Sequence, residues 1–338
     1  MSIKKVLVIS NPEDQHTKHV VSKISQLGAQ PIMLFPEELG QLYNLSIDFA
    51  VEKQLPLLSL STTSLAVDLN DVYSVWFRRP RLVALDSYAM SDEGLKFARE
   101  EWRAALEATY ILMRQPLWVS HPDRLREAAR KPLQLVLAQQ LGFTVPSTLI
   151  TNEPSLAKDF IQQCNEKVIV KPTGAGWVYS QDNVAVTYVL TNRVQQQDID
   201  DLNKIKTAPI TLQEEIVKAY EIRVNVVGQE VLPIKIDSQR SERSQVDWRR
   251  YDVSKTPYTP YQLPIDIQLA CLKLTKLLGL EFGAIDLIRQ PDGEYIFLEI
   301  NGNGQFLWAE ELSGVNVGDA LALLLTGIAP PLRLANLE

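Results

Sequence analysis

The chain of 338 residues is 46% hydrophobic and 22% charged, long enough for two or three subdomains around a sizeable core. Its formal net charge of −7 argues against broad nucleic-acid binding, which depends on neutralising many phosphates with Lys and Arg. The two cysteines, Cys164 and Cys271, lie in no CxxC motif or Cys/His cluster, so neither a disulfide framework nor a structural zinc site is indicated.

The N-terminal stretch KKVLVIS reads as a short apolar strand, followed by a helical pattern over HTKHVVSKISQLG that stops at Gly28 and a second apolar run, PIMLF. Such a βα unit is typical of an open α/β layer. The connecting loop lacks GxGxxG, so a dinucleotide fingerprint is absent. The chain turns polar at NPEDQH before a signal-peptide core could form, and no apolar run reaches the ~20 residues of a membrane helix. A cytoplasmic protein with no membrane partner is expected.

Residues 45–78 read as short strands (LSIDFAV, LPLLSLS, VYSVWFRR) and 92–113 as one long amphipathic helix, closing a first domain at 1–120. Arg78 and Arg79 end an apolar strand, the position beyond which ligands of open α/β sheets bind. Alternation points them to opposite faces, so at most one enters a cleft and the other makes a structural ion pair. His16, His19 and His121 show no ligand pattern.

In HPDRLREAARKPLQLVLAQQLGF, Pro132 suits the first turn of a new helix. That sets Lys131 at the helix's positive end, where an anion can bind. From 147 to 214 strands and helices alternate. Here Lys171 leaves the run KVIVKP beside the loop TGAGW; a lysine so placed can reach phosphates while backbone N–H groups cover them. The alternative is a surface turn. No GK[ST] follows, so the loop is not a Walker A motif.

Strands dominate next. Gln213, Glu214 and Glu215 end one, and Arg223 lies in the following run, EIRVNVVG. A segment joining two subdomains can bind an adenine through backbone groups while Glu221 or Arg223 faces a cleft; on the residues alone, Glu215 and Lys218 read as charges of a solvated loop. Lys235, Arg240, Arg243, Arg249 and Arg250 form a basic stretch. One or two of these guanidinium groups suit recognition of a carboxylate or phosphate, and the rest read as loop charges.

The segment AIDLIRQPDGEYIFLEIN holds Asp-Gly between two apolar runs, a strong hairpin signal. With Asp292 and Gly293 as the two central turn residues, Pro291 pairs with Glu294 and Asp286 stands opposite Glu299, their Cβ atoms about 4.5–5.5 Å apart. Asn301 shares that face. Facing carboxylates repel unless a cation sits between them. Mg²⁺ suits the place, taking a few oxygen ligands and completing its shell with water and nucleotide phosphates. The alternative is two carboxylates on a solvated face; the sequel GNGQFLW, whose glycines permit close backbone approach, favours a site.

Taken in order, Lys131 before a helix, Lys171 before a glycine loop, QEEI, EIRVNVVG, Lys235, Asp286, then Glu299 with Asn301, the chain resembles the ATP-grasp superfamily, in which two α+β subdomains hold ATP between them. The stretches VWFRRP, KPLQLVLAQQLGFTVPSTLITNEP, VDWRRYD and NGNGQFLW look like the ATP-grasp ligases that mature ribosomal peptides, the microviridin or graspetide macrocyclases. The resemblance runs from residue 72 to 325. It implies an α/β protein of ATP-grasp fold: an N-terminal open α/β pre-ATP-grasp domain (1–120), a central lid subdomain (121–212) and a C-terminal catalytic subdomain (213–330).

The same resemblance implies ATP and Mg²⁺ as cofactors. Lys131 and Lys171 would contact the phosphates, Gln213, Glu214, Glu215, Ile216 and Val217 the adenine, Arg223 and Lys235 the transferred phosphoryl group, and Asp286, Glu299 and Asn301 the Mg²⁺. The implied reaction makes acyl phosphates of Asp or Glu side chains in a ribosomal precursor peptide and joins them to Thr, Ser or Lys side chains as ester or amide rings. The implied partners are a leader-bearing peptide with an acidic core, held by Arg79, Arg240 or Arg249, and a second copy in a homodimer. Two rivals use the same nucleotide site: a ligase adding free amino acids to a peptide or protein terminus, and a non-catalytic nucleotide-binding regulatory module. VWFRRP and DWRRYD argue against the first; both lysines, Arg223 and the three metal candidates argue against the second.

Overall fold

The expected βα unit is present at the N-terminus of the computed structural model, which describes residues 3–49, 56–85, 90–174, 176–179, 185–241 and 255–333. It comprises β1 (Lys5–Ile9), α1 (Gln15–Gln26) and β2 (Gln30–Leu34). Asp14 caps α1 by accepting the Thr17 N–H at 2.8 Å, and the chain leaves through Gly28 at φ 79°, a conformation glycine adopts without penalty. β3 (Asn44–Asp48), β4 (Leu57–Ser61) and β5 (Ala66–Asp68) form an antiparallel meander. β6 (Ser74–Phe77) and β7 (Leu117–Val119) complete a four-stranded parallel sheet in the order β2-β1-β6-β7. Parallel neighbours need a long crossover, and α2 (Asp92–Leu112) supplies it between β6 and β7. Val6 to Ile9 are wholly buried because the sheet is covered on both faces, as parallel sheets are.

After α3 (Pro122–Ala128) and α4 (Lys131–Gln140) come β8 (Thr148–Thr151), α5 (Pro154–Gln163), β9 (Val168–Lys171), β10 (Trp177–Tyr179), β11 (Ala185–Tyr188), β12 (Asn192–Arg193), α6 (Gln196–Asp200) and β13 (Ile210–Glu214). β12-β9-β13-β8 form one sheet, and β10 pairs with β11. This sheet has a small core of its own, in which Ala157 and Ile161 of α5 pack on Val168 and Leu212.

The remaining strands are β14 (Tyr220–Val227), β15 (Glu230–Ile236), β16 (Tyr258–Pro260), β17 (Phe282–Arg289) and β18 (Tyr295–Asn301), in the antiparallel order β16-β15-β14-β17-β18, with helices α7 (Ile265–Leu277), α8 (Leu307–Ser313) and α9 (Val317–Leu325). One face carries Ile222, Val224, Ile285 and Leu287 and packs on Cys271 and Leu274 of α7 and Ala138 of α4. α3 and α4, which sequence reading groups with the central strands, therefore lie against this sheet. On the opposite face Val227, Phe282 and Ala284 join Val6, Val8 and Trp76 of the first sheet in one core, closed by Phe306 and α9. The rest of that face, carrying Glu221, Asp286 and Ile288, looks across a cleft to the central sheet. Among the described residues, no helix is long and apolar enough to cross a membrane.

Candidate functional site

The carboxylate pair forms, by a route the sequence does not reveal. The β17–β18 connection is a three-residue loop, Pro291 to Gly293, rather than the expected two-residue turn: the Gln290 N–H donates to the Glu294 C=O at 2.9 Å and the Gly293 N–H to the Gln290 C=O at 3.1 Å. Gly293 takes φ 105°. This shifts the pairing by one, setting Leu287 against Phe297; an irregularity just before Leu287 then leaves Leu298 over and returns Asp286 to Glu299. A bulge re-aims side chains in this way. The two departures offset each other.

β18 is an edge strand, and its free backbone groups are covered from α4. Gln134, 3% exposed, donates to the Ile300 C=O at 2.9 Å and accepts the Ile300 N–H at 3.0 Å. This side chain acts as one rung of a strand and fixes the backbone between Glu299 and Asn301. Its only signal in the sequence is an amide in an otherwise apolar stretch of helix. The Asn301 amide donates to Glu299 Oε1 at 3.3 Å, which leaves Asn301 Oδ1 as an acceptor.

Next to the pair, Arg223 Nη1 donates to both oxygens of Asp286 at 2.9 Å, and Nη2 to the Gln305 C=O at 3.1 Å. Arg223 and Asp286 are 3% and 7% exposed and sit directly across β14 and β17. The loop after β18 folds over this arginine and is gripped from the N-terminal part. Arg78 donates to the C=O groups of Asn303 at 2.7 Å and Gly304 at 3.2 Å, and Arg79 Nε to Asn303 at 3.1 Å. The two arginines do not diverge as expected, because Arg79 takes φ 47°, which breaks strand alternation. Burial pulls the Arg78 guanidinium down to about 10, with Arg79 adding to the shift and Asp14 opposing it. His16 Nε2 accepts the Phe306 N–H at 3.2 Å; burial holds that imidazole neutral by lowering its pKa to about 4.

Gly302 and Gly304 are required here for packing. A Cβ on Gly304 would lie 2.3 Å from Ala284 Cβ and 2.7 Å from Arg223 Nη2. Gly304→Ala is therefore expected to destabilise the protein by about 1–3 kcal/mol through overpacking, read as a lower urea midpoint. An unchanged midpoint would mean that the loop has room to shift.

The cleft between the central and C-terminal sheets encloses about 820 Å³ with its open mouth. Among the described residues its cations are all lysines: Lys131, Lys171 and Lys218. Lys171 Nζ donates to Gln213 Oε1 at 2.9 Å, and the Gln213 amide in turn donates to Thr148 Oγ1 at 2.8 Å. Gln213, 1% exposed, thus aims the lysine. Lys131 Nζ stands 3.3 Å from the Pro172 C=O and 3.5 Å from Glu299 Oε2, spanning the cleft. Lys218 is no solvated loop charge: it pairs with Glu221 at 2.7 Å, the side chains 10% and 5% exposed. Burial pushes the Glu221 carboxyl up against the pull of Lys218.

Glu214, Glu215, Ile216, Asp286 and Glu299 also line the cleft. Val217 lies outside it, 61% exposed. Arg223 sits behind Asp286. Lys235 pairs in register with Ile222, which puts it on the face opposite Arg223, 4.4 Å from the Tyr220 ring centroid and 3.3 Å from Asp237. Arg240 is 67% exposed and paired with Asp237. Arg249, with Arg243, Arg250 and the whole of VDWRRYD, lies outside the described residues. Asn301 opens onto a second hollow that also contains Arg79, so Glu299 and Asn301 mark the junction of the two. Asp286, Glu299 and Asn301 offer an all-oxygen donor set that fits Mg²⁺, which needs few protein ligands. Among the described residues no third His, Cys, Asp or Glu completes a cluster of the transition-metal kind.

Residues 128–325 match the family model of the RimK-like ATP-grasp domain, and residues 5–126 that of the MvdD pre-ATP grasp domain. Among solved structures, a RiPP-associated ATP-grasp ligase of Chryseobacterium gregarium, in complex with ADP and a leader and core peptide, is similar at TM-score 0.87 and 30% identity, over 97% of this chain and 98% of that one. Macrocyclase MdnC of Microcystis aeruginosa, bound with precursor peptide MdnA, is similar at TM-score 0.83 and 28% identity, over 96% of this chain and 100% of the other. The alpha-aminoadipate–LysW ligase LysX of Sulfurisphaera tokodaii is 23% identical over 221 residues, 65% of this chain and 75% of the relative.

Proposed function

Because the chain belongs to the RimK-like ATP-grasp family, we propose that it is a peptide-modifying ligase, which activates Asp or Glu side chains of a precursor peptide with ATP and joins them to Thr, Ser or Lys side chains of the same peptide. The observation that carries this reading is the junction at Glu299 and Asn301, where a lysine-lined cleft meets a hollow containing arginines. Likeness to two peptide-bound ligases over nearly the whole chain supports it.

In this reading ATP lies in the cleft, its phosphates near Lys131 and Lys171 and its adenine against the segment from Gln213 to Ile216. Asp286, Glu299 and Asn301 would hold Mg²⁺, which would supply charge neutralisation for the transferring phosphoryl group. A peptide carboxylate oxygen attacks the γ-phosphorus, and the bond to ADP breaks. The hydroxyl or amine then attacks the acyl carbon, and phosphate leaves with the electron pair while the nucleophile gives up its proton. The peptide loses one water per ring. Arg223 orients Asp286 through its two hydrogen bonds, while Lys235 on the far face steadies Tyr220 and takes no part in transfer.

The test is mass spectrometry after incubation with Mg-ATP and a short acidic, Thr-rich peptide. One water lost per ring, with ADP formed, is expected. The rival reading, addition of amino acids to a terminus, gains some support from the likeness to LysX. ADP formed only with free amino acids, and a product heavier by one residue, would establish it and end the ring-forming one.

A further inference from the structure

The hollow at Asn301 is the inner end of a longer groove. It runs from Asn301 and Gly302 past Leu125 to Arg79 and Arg126. A larger hollow of about 1570 Å³, open mouth included, shares Phe77, Arg79, Pro122 and Arg126 with it and continues between α2 and α3.

The chemistry of the groove differs from that of the cleft. Among the described residues its Lys and Arg are all arginines, Arg79, Arg81, Arg99, Arg103 and Arg126, against the carboxylates Glu100, Glu107 and Asp123. This is a local excess of cations in a chain of net charge −7. A lysine is a point charge suited to phosphate, whereas the guanidinium fork matches a carboxylate with two parallel hydrogen bonds. Arg103 pairs with Glu100, and Arg126 with Asp123 and Glu107. These arginine side chains are 62% and 59% exposed. Exposed pairs of this kind contribute little to stability, so an incoming carboxylate can replace the resident one at little cost. Phe77, Leu106 and Tyr110 add apolar contact surface.

We propose that this groove binds an acidic segment of the substrate peptide, its carboxylates on Arg103 and Arg126 and its chain leading inward past Arg79 to the junction at Asn301. The proposal rests on the peptide reading above and adds the recognition element that brings the reacting carboxylate in. It also explains why the cations are segregated by type: lysines where phosphates lie, arginines where carboxylates lie.

The test compares fluorescein-labelled dodecapeptides, one of Thr, Glu and Asp and the other its Gln/Asn counterpart, by anisotropy on the full chain with Mg-ADP present. Wild type is expected to favour the acidic peptide by tenfold or more. Arg103→Gln/Arg126→Gln should lose that preference, while Arg103→Lys/Arg126→Lys, which keeps the charge and removes the fork, should fall between. Both residues are exposed, so circular dichroism should show the fold intact. A Gln variant that retains the full preference would overturn the groove and leave the peptide reading standing. No preference in wild type would overturn acidic recognition, and the ADP and mass assays above decide separately whether peptides are substrates.

Discussion

Arg223→Met is expected to lower the unfolding free energy by about 3–5 kcal/mol, the typical cost of leaving one partner of a buried ion pair alone. Asp286 is 7% exposed and both its oxygens accept from Arg223 Nη1 at 2.9 Å, so the variant strands a carboxylate in a place water barely reaches. The double variant Arg223→Met/Asp286→Leu should recover most of that loss, because replacing a buried pair with apolar side chains of similar size is often neutral or stabilising. Turnover should stay lost in both. Urea unfolding and ADP release, measured on the two variants and on Asp286→Leu alone, form a double-mutant cycle. Recovered stability without activity would show that this pair is kept for chemistry; recovered activity would remove Asp286 from the metal set.

Much of the architecture is legible because its signals are local. The helix expected over 92–113 is α2 (Asp92–Leu112), and the runs EIRVNVVG, EVLPIKI and FGAIDLIR are β14, β15 and β17. Where features depend on contacts distant in sequence, reading fails. The Asp-Gly signal points to a hairpin, but the choice between a two- and a three-residue loop depends on the bulge at Leu298, which answers to packing. Strand alternation misplaces Arg79, because its left-handed φ is enforced by the loop it grips. α9 is apolar but for Asp319 and mostly buried, so it lacks the one-sided pattern by which helices are recognised. Gln134 and His16 have the same explanation: each is one polar side chain whose partner is a backbone group more than 160 residues away.

The distribution of strength around the site follows from these contacts. The loop from Gly302 to Phe306 is held by Arg78, Arg79, Arg223 and His16, drawn from three separate elements. Substrate exchange is thus expected to move the central sheet, which has its own small core, while the N- and C-terminal parts stay joined through their shared one. A hinge of this kind puts Lys171, which belongs to the central sheet, on the mobile side and the carboxylates Asp286 and Glu299 on the fixed side. Lys131 starts α4, which packs on the fixed sheet, and reaches across to the Pro172 C=O.

Glu299→Gln separates chemistry from stability in the opposite sense to Arg223→Met. Glu299 has 16% of its side chain exposed, and its partner Lys131, at 3.5 Å, is 23% exposed and also reaches the Pro172 C=O. Losing this charge strands nothing in the interior, and the Gln amide can still meet Asn301, so the change in unfolding free energy should stay within about 1 kcal/mol. Loss of an anionic oxygen from the junction should lower kcat by about 10²–10³-fold, the effect of removing one preorganised electrostatic group from a transition state. Urea unfolding measures the first quantity and ADP release at saturating Mg²⁺ the second. A variant with normal kcat would place the metal elsewhere; one that loses kcat and stability together would mean that Glu299 also holds the fold. The separation expected between these two neighbours follows from where each stands: removing Arg223 strips the buried Asp286 of its counter-charge, whereas neutralising the partly open Glu299 leaves no buried charge behind.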